Sequence, residues 1–538
     1  MPWQQTYDPL HAPLLSTLVA FLPAALLLVC LGWLRLRAHL AALMGLGAAL
    51  LVAVVVFRMP PLMAASSALY GMAYGFLPIG WIVLNVIFLF RLTEEKGLFG
   101  ILRDSLSQVS GDRRLQLVLV AFCFGAFLEG AAGFGTPVAV SASILIGLGF
   151  PAIPAAGLSL IANTAPVPYA GLGTPLIALQ GVTGLDLHDL TRTVALQLSL
   201  FDVLIPFWMV WALAGWKGVR GVWPALLVAG GTFAAVQLAV AWWHGPWLVN
   251  ILSALISMAA LALFLRFWRP AEVWRLPGEA EAGASSAPPV HPRPLVARAW
   301  APWLLLSLWM FVWGLPGMKA FLDRFSLVRV HVPGLDGMVM RMPPVVIVAR
   351  PEGAVFDLAW LSASGTAILL TALVAGVWMG YRPRDLLVRY AAAFRQVGLS
   401  LLTICTMMAI GFVIRYSGMD GCMGLAFARS GPLYPFFGTL LGWLGVFITG
   451  SDTSSNVLFG SLQRITAGQL GIEPVLMAAA NSSGGVMGKM INAQSVVVAG
   501  AAVNLQGREG HILRYVFFHS LALVGLVGLV VMAMAYFL

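Results

Sequence analysis

The sequence predicts an all-α polytopic membrane protein, and three observations predict it. Apolar runs of about 20 residues, the length that crosses a bilayer, recur from the first at 14–34 to the last at 511–537. Only 10% of the 538 residues are charged, against about 25% in soluble domains, and mean hydropathy is +0.91. Several apolar runs are interrupted, rather than ended, by glycine, proline and charge, as in FLEGAAGFGTPVAV at 127–140. The short alternating segments of a membrane β-barrel are missing.

In chain order, spans are expected near 14–34, 38–57, 70–90, 115–150, 152–180, 194–215, 222–243, 247–267, 299–315, 355–380, 396–414, 432–470, 474–506 and 511–537. Those at 115–150, 152–180, 432–470 and 474–506 are interrupted, and the total is about 12–14 membrane segments. The opening MPWQQTYDPLHAP has no basic region and no small-residue cleavage site, so the first run is expected to be a retained helix. The net charge of +10 sits in short loops. That is the bias of cytoplasmic loops and no reason to expect nucleic acid. Cys30, Cys123, Cys405 and Cys422 form no CxxC pair, so neither a disulfide framework nor a metal site is expected. The expected surroundings are the lipid bilayer.

The chain divides at a stretch rich in Pro, Ala, Ser and Glu, Pro277–Pro294. This gives an N-terminal transmembrane half at 1–270, a mobile polar linker at 271–298 and a C-terminal half at 299–538. Within the second half, VRVHV and VVIVA in the polar loop 317–353 are candidate strands or interfacial segments. The halves resemble one another at an offset near 320: residues 124–140 lie over 444–460, and 158–176 over 476–494. Basic charge swaps between equivalent loops. Arg91, Lys96, Arg103, Arg113 and Arg114 in the first half face only Arg415 and Arg429 in the second, while Arg382, Arg384, Arg389 and Arg395 face only Arg58. Halves inserted with opposite orientation produce this pattern, which is that of inverted-topology repeats.

The breaks are the chemically informative part. A helix interrupted in hydrocarbon frees backbone N–H and C=O groups at several kcal/mol each, so breaks survive only against protein or a water-filled cavity. Four are expected, near 129–137, 163–175, 449–456 and 481–494, weakened by Gly130, Gly133, Gly135, Pro137, Pro166, Pro175, Gly484, Gly485 and Gly488. Tight helix packing would explain one such stretch; four matched ones, each with polar residues, point to a secondary transporter whose site lies near the midplane. Half-helix N-termini favour an anion. Candidate substrate ligands are Thr136, Asn163, Thr164, Ser451, Thr453, Ser454, Asn481, Ser482, Ser483, Lys489 and Gln494, a set of hydroxyls and amides with one ammonium. Glu129, Asp452 and Asp202 are the intramembrane carboxylates and the candidate proton carriers. No HExxH motif or His/Cys cluster supports a membrane enzyme.

Five stretches carry a resemblance: WQQTYDPL at 3–10, FCFGAFLEGAAGFGTPVAV at 122–140, LIANTAPV at 160–167, GWLGVFITGSDTSSNVLFG at 442–460 and AANSSGGVMGKMI at 479–491. They resemble the L-lactate permease family of bacterial carriers across nearly the whole chain. The resemblance implies uptake of L-lactate and related small 2-hydroxymonocarboxylates, D-lactate and glycolate among them, by proton symport at the bacterial inner membrane. It implies no cofactor beyond the coupling proton. A sodium-coupled carrier of the same architecture is the alternative. Three departures flank the breaks. Asn492 and Ala493 stand where the family usually has Ser and Pro, residues 180–184 read QGVTG in place of GQVTG, and Thr174 replaces an apolar residue.

Overall fold

The computed structural model describes residues 2–34, 36–107, 109–131, 136–276, 291–505 and 508–537. The linker expected at 271–298 falls largely on 277–290, outside the described residues, and so do the breakers Gly133 and Gly135.

The first half runs α1 (Pro13–Gly32), α2 (Ala38–Leu51), α3 (Pro61–Tyr74), α4 (Trp81–Glu95), α5 (Leu98–Ser107), α6 (Arg113–Leu117), α7 (Gly125–Ala131), α8 (Thr136–Gly147), α9 (Ala152–Ala162), α10 (Ala170–Thr183), α11 (Leu187–Trp243) and α12 (Val249–Phe267). The second runs α13 (Arg293–Gly314), α14 (Pro316–Ser326), α15 (Ser364–Trp378), α16 (Pro383–Ser417), α17 (Met419–Phe427), α18 (Tyr434–Thr449), α19 (Asp452–Leu470), α20 (Pro474–Gly488), α21 (Ala493–Ala502) and α22 (Glu509–Phe537). Among the described residues ten helical stretches are long and apolar enough to cross a bilayer. Of these, α11 has 57 residues, about 85 Å at 1.5 Å per residue and far more than one crossing needs. It turns at Gly215, whose φ of 65° and ψ of −171° only glycine adopts freely, and so supplies two passes.

The interrupted runs become two hairpins and two split helices. α18 runs to Gly450 (φ 76°), where α19 starts back alongside it: Gln463 donates to the Gly438 carbonyl at 2.7 Å, and Ser455 to that of Gly442 at 3.2 Å. α8 likewise packs back on the segment before α7, with Ser141 donating to the Val120 carbonyl at 3.3 Å. α9 and α10 are separated at 163–173, and α20 and α21 at 489–492. Packing is reciprocal across the halves: α8 lies on α21 and α10 on α19, while α9 lies on α22 and α20 on α11.

The all-α expectation holds for the spanning part, but an insert between α14 and α15 adds strands. β2 (Leu327–His331) pairs antiparallel with β5 (Val355–Ala359), and β3 (Val339–Arg341) antiparallel with β4 (Arg350–Glu352). β1 (Trp3–Gln4), at the N-terminus, pairs parallel with β3. VRVH is therefore a strand, whereas VVIVA at 345–349 is turn and bend, with Ile347 exposed and no neighbouring strand. The pairing of β1 puts the N-terminus and the insert on one face of the protein. The C-terminus joins them there, because Tyr536 donates to the Pro432 carbonyl beside the start of α18.

Buried charge ties the insert down. Glu352 accepts from Arg415 on α16 at 2.8 and 2.6 Å, and from Arg341 on β3 at 2.9 Å. Arg341 continues to Asp420 on α17 at 3.1 Å, and Asp420 accepts from Ser461 on α19 at 2.6 Å. Gln5 donates to the carbonyls of Arg415 and Tyr416 at 2.9 and 3.0 Å. Burial works to raise the Glu352 carboxyl, but Arg341 and then Arg415 overcome it and hold it near 2.

Glycine does a different job between α18 and α20. A Cβ at Gly442 would strike the Asn481 carbonyl, one at Gly484 that of Thr439, and one at Gly488 that of Trp443. The backbones approach so closely that only glycine fits, the usual basis of tight packing in membranes. Gly442→Ala is expected to destabilise the purified protein by about 1–3 kcal/mol, while Gly468→Ala, where nothing lies within 4 Å, leaves thermal unfolding unchanged. Glu352→Gln is expected to cost stability on the scale of about 3–5 kcal/mol seen when one partner of a buried pair is removed. Because the Glu352 carboxyl is lowered on folding from 4.5 to about 2, its contribution is present above about pH 4.5 and lost as pH falls toward 2. The Tm difference between wild type and Glu352→Gln should be flat from about pH 6 to 9 and shrink below about pH 4.5.

Candidate functional site

Two of the breaks, between α9 and α10 and between α18 and α19, leave carbonyls that a side chain from another segment meets. Asn250 on α12 donates to the Pro166 carbonyl at 2.6 Å, in the gap between α9 and α10. Asn456 on α19 donates to the Pro175 carbonyl at 3.3 Å. Lys489, just past α20, donates to the Gly450 carbonyl at 2.6 Å. Asn492 donates to the Phe447 carbonyl at 2.9 Å and, through its own oxygen, accepts from the Ser495 N–H at 3.1 Å. It thereby takes the N-cap position of α21.

These bonds gather the starts of the half-helices. α10 reaches helical geometry only after three left-handed residues, 171–173, so its effective start is Thr174–Pro175, against α19. The start of α21 is held to the end of α18 by Asn492, and α8 packs on α21. Helix starts packed on neighbouring half-helices, each with the positive end of its dipole, suit an anion.

Three charges lie among them. Glu129 is buried near the end of α7, and its Oε2 has no hydrogen-bond partner. Asp452 is the first residue of α19 and 4% exposed. Its Oδ2 accepts from Ser482 at 2.5 Å and Asn456 at 3.2 Å, while Oδ1 has no partner. Lys489 interacts electrostatically with both carboxylates, yet no ion pair within 4 Å joins it to either among the described residues. Asn163 caps α9 beside Glu129, but neither of its amide atoms is in hydrogen-bond geometry, and the Ser483 hydroxyl is also buried and unpaired. A buried polar group without a partner costs about 1–3 kcal/mol. Glu129, Asp452, Asn163 and Ser483 each leave such an atom on the elements that carry the breaks, which suits a polar ligand.

From Asp452 a polar ladder leads into the second half. Asn481 donates to Asn456 Oδ1 at 2.9 Å and accepts from Gln463 at 3.3 Å, and Gln463 accepts from Tyr434 at 2.6 Å. Gln463, Tyr434 and Asn250 were not among the residues singled out by sequence. Gln463 lies seven residues after Asn456, on the same face of α19, and that spacing could have found it.

Other expectations shift. Gly484 and Gly485 lie inside the unbroken α20, where they permit the contact with α18; the fourth break comes later, at 489–492. Gly488 ends α20. Gly130 likewise lies within α7, where a Cβ would meet Asn250. Pro137 and Pro175 stand at the starts of half-helices, where proline's missing N–H costs nothing, and Pro166 sits in the gap. Thr164 bonds the Ile161 carbonyl and Thr174 that of Ala170, so both hydroxyls are engaged locally. Ser451 caps α19 by accepting from the Ser454 N–H, Thr453 and Ser454 are half-exposed on that turn, and Gln494 is exposed. The side chain of Thr136 lies outside the described residues. Asp202, buried in α11, accepts from Gln237 and stands apart from the Glu129–Lys489–Asp452 group. A cavity of about 660 Å3 is elsewhere too. It lies on the insert face, between Tyr74, Gln180, Gly184, Trp247, Trp313 and Arg415.

Asn492 carries out the capping that serine performs elsewhere. Asn492→Ala is expected to cost about 1 kcal/mol and Asn492→Ser a few tenths at most, read by thermal unfolding in detergent.

The chain was compared with known proteins. The family model described as L-lactate permease matches residues 16–538. The L-lactate permease of Escherichia coli strain K12 is 41% identical over 543 residues, which cover 100% of this chain and 98% of the relative. The glycolate permease GlcA of the same organism is 43% identical, over 99% of this chain and 98% of the relative. Among solved structures, Neisseria gonorrhoeae MtrF, described within a class of antimetabolite efflux pumps, aligns with a TM-score of 0.50 at 13% identity, covering 95% of this chain and 97% of that one. That last likeness concerns the fold alone. The site-bearing breaks and the full-length match agree: the chain belongs to the L-lactate permease family, as a multi-pass membrane transporter rather than an enzyme.

Proposed function

We propose that this protein imports L-lactate, and with it D-lactate and glycolate, by proton symport across the cytoplasmic membrane. Relatives bearing both lactate and glycolate in their names support the substrate class. The observation that carries the coupling is one lysine, Lys489, in electrostatic reach of two buried carboxylates, Glu129 and Asp452, and joined to neither by an ion pair within 4 Å among the described residues.

The charges explain why proton and substrate travel together. With both acids ionised the group sums to −1 and repels a carboxylate. Protonating both makes it +1, so an entering lactate brings the site to neutrality. In a medium of low dielectric this difference is large. The carboxylate would lie toward Lys489 and the helix starts, and the 2-hydroxyl toward the unpaired Asn163 and Ser483. Thr453, Ser454 and Asn481 form the surrounding polar wall. Two halves of opposite orientation would let such a site open alternately to either side. The reciprocal packing across the halves and the charge swap between loops support that orientation.

The first test is uptake of labelled L-lactate into proteoliposomes under an inward proton gradient in sodium-free buffer. Accumulation abolished by a protonophore is expected; recovery only on adding sodium would replace the proton with Na⁺. Glu129→Gln and Asp452→Asn should each lower the proton stoichiometry and weaken concentrative uptake, and together should remove it while leaving some lactate–lactate exchange, because a group held at +1 still binds the anion. Concentrative uptake surviving in the double variant would overturn the proton role. Lys489→Gln should raise the KM for lactate at least about tenfold, the loss of one charge-assisted bond of about 1.5–3 kcal/mol.

A further inference from the structure

α10 is the one half-helix whose two ends meet opposite parts of the machinery. At its start the Pro175 carbonyl is bonded by Asn456, whose amide also bonds Asp452. At its end the chain leaves the helix through Gly184 (φ 71°), leaving the last carbonyls to find partners. The Gln180 carbonyl takes the Gly184 N–H. The Gly181 carbonyl takes Arg415 at 2.9 Å and that of Thr183 takes Arg464, on α19, at 2.7 Å. Two guanidinium groups thus cap the negative end of this helix.

Neither arginine is placed by α10 itself. Arg415 is clasped by Glu352 of the insert, Glu352 is held by Arg341, and Gln5 of the N-terminal strand bonds the backbone at Arg415. Glu352 stays ionised through the physiological range, so the clasp does not depend on pH there. Such a cluster is a poor way to gain stability, because desolvating its charges offsets most of their attraction; what it provides is fixed geometry. The same helix end borders the 660 Å3 cavity, bounded by Gln180, Gly181 and Gly184 as well as by Arg415. The end of α10 is therefore held by a charged clasp and has open space beside it.

We propose that Arg415 and Arg464 are positioning residues for transport: with Arg415 gripped by the insert through Glu352, the two set the end of α10, and release of that grip lets α10 move into the cavity and change access to the site at its other end. The proposal rests on the transport reading above. It assigns the insert to the rate of the conformational cycle, and not to lactate recognition, since no insert residue reaches the Glu129–Lys489–Asp452 group.

The experiment compares wild type, Arg415→Lys, Glu352→Gln and Arg464→Lys in proteoliposomes, with hydrogen exchange on the same preparations. Lysine keeps the charge but loses the fork that binds Glu352 and a carbonyl together. The expected result is a fall in the maximal uptake rate of about tenfold or more, the loss of one charge-assisted bond, with KM for lactate within about twofold and amides of 180–186 exchanging faster. Arg329→Gln, which breaks an exposed pair with Asp357, should change neither. If Glu352→Gln does not fold, the two lysine variants carry the comparison. Wild-type rates and unchanged exchange in the lysine variants would overturn the proposal, and so would a rise in KM at constant maximal rate, which would place Arg415 in recognition. If wild type itself moves no lactate, the transport reading fails, while hydrogen exchange still tests the clasp.

Discussion

Everything in this fold follows from the backbone polar groups that a broken helix frees inside the membrane. They cannot be left to hydrocarbon, and the protein answers the carbonyls one at a time with a side chain borrowed from a distant segment: Asn250 to Pro166, Asn456 to Pro175, Lys489 to Gly450, Asn492 to Phe447. Each bond stitches two segments together, so local satisfaction also builds the tertiary structure. The N–H groups at the starts of the half-helices are a different matter. At α19 and α21 a side chain caps the start, Ser451 accepting from the Ser454 N–H and Asn492 from the Ser495 N–H, and the positive end of each helix dipole remains there.

The same bonds hold the charges apart. Lys489 spends one donor on the Gly450 carbonyl, and Asp452 one oxygen on Ser482 and Asn456, so neither is free to collapse onto the other. A tight buried pair would be inert to an incoming carboxylate, since displacing it would expose two charges. Separation keeps the lysine available and the acids responsive. The glycine contact between α18 and α20 serves the same end, since Asp452 Oδ1 lies where a Cβ at Gly485 would sit.

Much of this was legible in the sequence. Most of the spans and the breaks near 163–175, 449–456 and 481–494 could be read because apolar length and its interruption are local signals. The glycines were harder. Gly484 and Gly485 look like breakers beside Ser482 and Ser483, and only the presence of α18 at backbone distance shows that they are packing residues in an intact helix. Thr164 was a candidate ligand, and its hydroxyl donates to the Ile161 carbonyl of α9. Arg114 was counted as loop charge, yet it is buried against Asp112 at 2.6 Å. In each case the deciding fact is a neighbour far away in the chain. The clasp on α10 was hidden for the same reason: Glu352 lies 63 residues before Arg415, and Arg415 lies 234 after Gly181.

The parallel pairing of residues 3–4 with 339–340 has a consequence for biosynthesis. The N-terminal strand emerges from the ribosome first, but its partner follows more than 330 residues later. At the roughly 5–20 residues per second of translation, the first segment waits for tens of seconds before it can close over the insert. The N-terminal strand thus ties the halves together only after the whole first half and the insert's first strands have been made. A fusion at the N-terminus would meet its first structural constraint at that late step.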